Sequence, residues 1–305
     1  MNDINSQLLK IIADMDGTPT GAYNIRENGK SSMRNITDNI TIKNKSDNPG
    51  IEIIVKPNTK GETVHIPVIV TESGFKDMVY NDFIIGDGAD VTIMAGCGIH
   101  NCGSNNSGHD GIHTFFIGKN AKVKYIEKHY GGGDGMGKNI MNPTTIINVD
   151  KGGYMEMDTS QIEGIDSTNR ITKATLADDA TIIIHEKLLT HGIQNADTDF
   201  SVNLNGKNSS ANVVSRSVAK GNSTQTFKSN IIGNNLCNGH TECDAIIMDN
   251  AKVTAIPEII ANNIDASLIH EAAIGKIAGE QIVKLMTLGL TEQQAEEEIV
   301  KGFLK

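Results

Sequence analysis

Ala89-Asp90-Val91-Thr92-Ile93, Ala121-Lys122-Val123-Lys124-Tyr125, Gly153-Tyr154-Met155-Glu156-Met157 and Ala180-Thr181-Ile182-Ile183-Ile184 are four copies of one short pattern. Each reads small residue, any residue, Val, Ile or Met, any residue, then an apolar residue. Ala211-Asn212-Val213-Val214-Ser215 and Ala251-Lys252-Val253-Thr254-Ala255 extend the series, with first residues 32, 32, 27, 31 and 40 positions apart. Side chains alternate along a strand, so positions one, three and five share a face. A turn, a small residue and an inward alternating strand, repeated every ~30 residues, predict the stacked coils of a β-solenoid. A β-sandwich is the alternative, but its turns come about every 8–12 residues.

Working outward, further Ile-, Val- and Thr-rich segments with turn punctuation follow the same logic: Ile51–Lys56, His65–Thr71 and Phe83–Ile85. The composition agrees. Gly and Asn contribute 31 residues each, Trp is absent and aromatics are 4%. Stacked strands put aliphatic side chains in ladders and leave little room for bulky rings. Gly and Asn serve tight corners because both tolerate positive φ.

The two ends read differently. Ser6 to Met15 carries Leu8, Leu9, Ile11 and Ile12, a short amphipathic helix. From Ser267 the signal turns helical: Leu268–Leu288 holds Ile274, Ile277, Ile282, Leu285 and Met286, with Gly289 as a stop. Thr291-x-x-Gln294 is a capping box opening a second helix, with Ala295, Ile299 and Phe303 on one face. The expected organisation is a helical segment 1–15, a β core 16–266 and a helical hairpin 267–305, the hairpin blunting the open solenoid end.

Several classes drop out. No apolar run approaches the ~18 residues of a membrane span, and the N-terminus lacks the charged and apolar regions of a signal peptide. Four cysteines are too sparse for a disulfide scaffold, so a reducing cytoplasm is expected. The 27 Lys and Arg against 37 Asp and Glu give a net charge of −10, contrary to a nucleic-acid binder. No phosphate loop, Gly-x-Ser-x-Gly elbow or His-Glu-x-x-His helix is present. The expectation is a protein without turnover of its own, with no nucleic-acid or membrane partner.

Two groups of metal-ligand residue types stand out. One is Cys97, His100, Cys102, His109 and His113, in a Gly-rich stretch; small corner thiols and surface histidines are the plainer reading. The other is Cys237, His240, Glu242, Cys243 and Asp244, followed by His270-Glu271. Thiolate, imidazole and carboxylate together suit iron or zinc.

Asn238-Gly239-His240-Thr241-Glu242-Cys243-Asp244, Ala255-Ile256-Pro257-Glu258-Ile259, His270-Glu271-Ala272, Gly275-Lys276-Ile277, Glu280-Gln281 and Gly302-Phe303 resemble the C-terminal signature of the SufB/SufD family. Gly21-Ala22-Tyr23-Asn24-Ile25-Arg26 and Val79-Tyr80-Asn81-Asp82-Phe83 resemble its short SufB-like members of minimal SUF systems. The resemblance implies a right-handed parallel β-helix acting as a scaffold subunit in iron–sulfur cluster assembly. By position, Cys243 matches the SufB cysteine, His270 the SufD histidine and Glu271 the SufB carboxylate beside it. The family works as a SufB–SufD heterodimer joined through its β-helices. The expectation here is a homodimer that shares a metal-ligand set of Cys243, His270 and Glu271 for a transient iron–sulfur cluster, a heterodimer with a paralogue being the alternative. The resemblance also implies a SufC-type ATPase docked on the C-terminal helices, a sulfur donor and apo-protein acceptors. The chain lacks the long N-terminal region of a typical SufB. A SufD-like adaptor that ligates no cluster is the alternative; a polysaccharide-active β-helix enzyme fits poorly with 4% aromatics.

Overall fold

The computed structural model describes residues 3–305. Strands alternate between two ten-stranded sheets, and nearly every pairing is parallel to the strand one coil earlier or later, giving a β-solenoid of about eight turns. Only the first coil departs, with antiparallel pairs of Ala22–Glu27 with Lys30–Asn35 and Ile40–Asn44 with Ile51–Val55. One apolar core runs through the solenoid from Ile40 and Ile53 to Cys237 and Cys243.

The recurring pattern marks one corner of this stack. Ala89, Ala121 and Ala180 are fully buried and Gly153 is buried beside them. The adjoining strands pair in register, Val91 with Val123, Val123 with Met155 and Met155 with Ile182. The residue before each corner position has positive φ: Asn58, Gly88, Asn120, Gly152, Asp179 and Asn208, between 55° and 67°. Their amides run a ladder, each donating to a carbonyl of the next coil, as Gly88 to Lys119 at 2.8 Å and Asp179 to Lys207 at 2.8 Å. Gly, Asn and Asp are the residues that accept this conformation at low cost.

Two members of the series belong elsewhere. Ala211 pairs with Ile182, two positions past the corner that Ser209 occupies. Ala251 precedes a strand of the opposite sheet, where Lys252 pairs with Thr224. Polar Ser209, fully buried, fills the corner because its hydroxyl bonds the Gly206 carbonyl at 2.7 Å.

Helix α1 (Asp3–Ala13) lies on the outer face of the early coils, burying Leu8, Leu9 and Ile12. A Cβ on Gly96 would sit 2.3 Å from the Ile12 carbonyl oxygen, so only glycine lets the helix approach. At the other end the expected helix from Leu268 is corrected: Ala266–Gly275 is a strand, paired in register with Cys237–Ile246. Leu268 and His270 continue the period-two alternation, and the helical hairpin begins only at Gly279.

Helices α2 (Gly279–Thr287) and α3 (Glu292–Phe303) follow, the latter opened by the Thr291–Gln294 capping box. They do not close the solenoid end. Val300, Leu304, Ile277 and Phe303 pack against Leu189, Val218, Ile246 and Met248, along a lateral corner. The last strands, Lys252–Ala261 and Ala266–Gly275, are each paired on one side only, leaving Ile256, Ile269 and Ile274 exposed. Among the described residues no helix is long and apolar enough to cross a membrane.

Candidate functional site at the open end of the solenoid

Cys243 is 1% exposed and faces the solenoid interior. It belongs to one ladder that climbs the sheet through Ala95, Glu127, Thr159, Glu186, Ser215, Cys243 and Ala272. Burial first, then the charges of Glu186 and Asp244, push its thiol up to about 12. At neutral pH it is therefore protonated, whereas a metal ligand or nucleophile must be thiolate.

His270 caps the neighbouring interior ladder, pairing with Thr241. Since Cys243 pairs with Ala272, His270 and Cys243 are diagonal neighbours on one face, on the order of 8 Å apart at Cα from strand spacing and rise. Both ring nitrogens of His270 lack a hydrogen-bond partner. Burial, then the charge of His240, holds the imidazole below its usual range, which favours the neutral ring with one nitrogen carrying a free lone pair. Few buried polar groups stay unpaired without a reason.

Glu271 lies on the other side of the sheet. Strand alternation turns it outward, directly opposite Glu242. His240 Nε2 is 3.6 Å from Glu271 Oε2. Within one chain the sheet thus separates Cys243 and His270 from Glu271. Asp244 shares a hydrogen bond with Glu242 and, with burial and its own charge, raises that carboxyl. Cys237 is fully buried in the corner ladder next to Ser209, a small-residue position.

The first cluster does not converge either. Cys97, His109 and His113 face inward, while His100 and exposed Cys102 pair with each other at 3.1 Å. His109 Nδ1 lies 3.3 Å from Asp77, and His113 Nδ1 is 2.8 Å from the Tyr125 hydroxyl. Burial, then the Asp77 and Glu127 charges, pushes the Cys97 thiol well above its ordinary value. A cavity of about 20 Å³ separates Cys97 from His109, His113, Glu127 and His129, the size of one water molecule.

Sequence reading missed a buried ionic network between these two thiols. Arg170 donates to Glu127 and sits 3.7 Å from Glu186; Ser215 and Thr198 donate to Glu186 at 2.7 and 3.0 Å. Burial opposes the charge on Glu127, but Arg170 and then His129 outweigh it and hold the carboxyl well below its usual range. At Glu186 burial wins over Arg170, and the carboxyl is raised. One arginine therefore serves one firmly ionised carboxylate and one reluctant one. The signal was available: Glu127 lies two and four residues past inward Tyr125 and Val123, and Glu186 two and four past Ile184 and Ile182.

The comparisons with known proteins bear on this geometry. Residues 70–303 match the family model described as SUF system FeS cluster assembly, SufBD core domain. The chain belongs to the SufBD family. It is 32% identical over 256 residues to an iron–sulfur cluster assembly SufBD family protein of Methanocaldococcus jannaschii, covering 83% of this chain and 80% of that one. A SufBD family protein of Archaeoglobus fulgidus is 32% identical over 251 residues, covering 80% and 66%. A third, from Methanothermobacter thermautotrophicus, is 29% identical over 230 residues, covering 74% of this chain and 54% of its own length. The SufBD match includes the whole open end, with Cys243, His270 and Glu271.

Proposed function

We propose that this SufBD chain is a scaffold subunit on which a nascent iron–sulfur cluster is built at a dimer interface, in complex with a SufC-type ATPase. The observation that carries the reading is Cys243 beside the unpartnered imidazole of His270, at an end of the solenoid that no further coil covers among the described residues. A second copy seated on the exposed last coil brings Cys243 of one chain toward His270 and Glu271 of the partner subunit. Unpaired edge strands carrying Ile256 and Ile269 suit such a contact.

The thiol must lose its proton before it can hold iron. His270 is the nearest free base on that face. The ATPase docks on α2 and α3, whose apolar contacts include Ile246, on the strand that carries Cys243, and the adjoining Met248. Pulling the helices therefore strains the Cys237–Ile247 strand and opens Cys243 to iron and sulfide. ATP hydrolysis is supplied in trans, and the subunit itself turns nothing over.

A second reading, a SufD-like adaptor that never ligates a cluster, draws on the burial of Cys243 and its thiol at about 12. Anaerobic reconstitution with iron and sulfide, followed by visible absorption, decides. The scaffold predicts that Cys243→Ala loses most of the cluster yield while keeping the wild-type unfolding midpoint. Equal yield in the variant rejects it and leaves the adaptor.

A further inference from the structure

We propose that His240, Glu242 and Glu271 form a divalent-cation site on the outer face of the last two coils, separate from Cys243. Among the described residues this is the group of three His, Cys, Asp or Glu side chains whose donor atoms all lie within 4.8 Å of one another. An ion about 2.1 Å from each donor holds neighbouring donors roughly 3 Å apart. Glu271 is exposed enough to close that gap by turning its side chain.

Two features of the sheet favour a cation there. Glu242 and Glu271 are directly opposite on adjacent parallel strands. Like charges in that relation repel and destabilise the pair. Arg216 on the outer face is in register with Asp244, and its charge reaches Glu242 only from that diagonal position. The second feature is the hydrogen bond between His240 Nδ1 and Asn212 Oδ1, at 2.9 Å from the next strand inward. An amide oxygen accepts, so Nδ1 carries the proton and Nε2 keeps its lone pair. That nitrogen points at Glu271, where two lone-pair-bearing groups at 3.6 Å gain nothing without a cation between them. An outer partner that fixes the tautomer is the usual support of a metal-bound histidine.

One imidazole and two carboxylates without thiolate suit a borderline-to-hard divalent ion such as iron(II). Glu242 also lines an open groove of about 570 Å³ on the same face, through which a hydrated ion reaches the site. If the scaffold reading holds, this site collects iron on the outside of the strand whose inner face carries Cys243. That role rests on the scaffold reading; cation binding does not.

Anaerobic cobalt(II) titration of the full chain, read by calorimetry and absorption, tests it. Cys243→Ala should keep one saturable site with a spectrum free of sulfur-to-cobalt charge transfer. His240→Ala and Glu242→Gln should each weaken that site at least tenfold, and Asn212→Ala about tenfold through the tautomer. His240, Glu242 and Asn212 are on the outer face, and circular dichroism checks that these variants and the interior Cys243→Ala stay folded. Undiminished binding in the His240→Ala, Glu242→Gln double variant, or loss of all binding in Cys243→Ala, overturns the proposal. Cobalt binding as described together with full cluster yield in Cys243→Ala keeps the site and removes only the scaffold.

Discussion

The middle coils and the last coil are built on the same ladders and put them to opposite use. In the middle, Glu127, Arg170 and Glu186 are buried and answer one another, with Ser215 and Thr198 closing the set. At the last coil the neighbouring ladders end in Ala272 and His270, with no strand paired beyond them among the described residues. The contrast teaches that buried charge is carried here where neighbouring coils answer it, although single uncharged polar atoms such as Thr172 Oγ1 and Ser229 Oγ stay unpaired within the stack. The unsatisfied imidazole marks where something else must do so.

The largest way to break the comparison is in the middle. Arg170→Met strands the Glu127 carboxylate in the core, and should cost about 3–5 kcal/mol in urea unfolding. His270→Ala, by contrast, should stay within about 0.5 kcal/mol of wild type, because the last coil carries no such network. Equal losses at both positions would erase the distinction.

Next is acidity. Burial lowers His113 to about 4, so the unfolded chain, near 6.5, takes its proton first as pH falls. Stability from this group is intact above about pH 6.5 and declines down to about pH 4, by about 3 kcal/mol in all. His129, also lowered chiefly by burial, acts in the same sense. Glu186, raised by burial, acts in the opposite one. The measurement is therefore a difference: His113→Gln should flatten the slope of urea midpoint against pH between 7 and 4 relative to wild type. An unchanged slope would mean that His113 titrates normally.

The smallest effect on folding belongs to the last coil. Ile256→Lys with Ile269→Lys changes exposed edge residues and should move the unfolding midpoint by less than about 0.5 kcal/mol. If the proposed dimer forms through this edge, sedimentation should nevertheless show it replaced by monomer. A variant that sediments as wild type would place the partner contact elsewhere.

Most of the solenoid was legible because burial imposes period two. Val91, Val123, Met155 and Ile182 announce an inward face by composition alone. Phase was harder. Ser209 stands at a corner without looking like Ala89 or Ala121, so the pattern locked onto Ala211 instead. The strand Ala266–Gly275 was hidden because Ile274, Ile277 and Ile282 at its end also fit a helical spacing, and only pairing with the previous coil decides. Arg170 could not be found: its neighbours on the inward face are Thr168 and Thr172, while apolar Ile171 beside it points the other way, so local pattern gives the face to the wrong residue. For the site, the sequence supplies the residue types Cys243, His270 and Glu271. Their division between two faces follows from alternation through residues 270 and 271.

The corner ladder of left-handed residues has a consequence for how such a chain can change in length. Six successive coils repeat the same bend at Asn58, Gly88, Asn120, Gly152, Asp179 and Asn208, and each hands its hydrogen bond to the next. A deletion of one residue within a strand breaks that succession and turns the rest of that strand inside out. Removal of one whole coil does neither; it lets its neighbours meet in register. The molecule is in this sense a ruler with a fixed graduation. Chemistry at its open end can be moved relative to α1 only in steps of one strand spacing, about 4.8 Å.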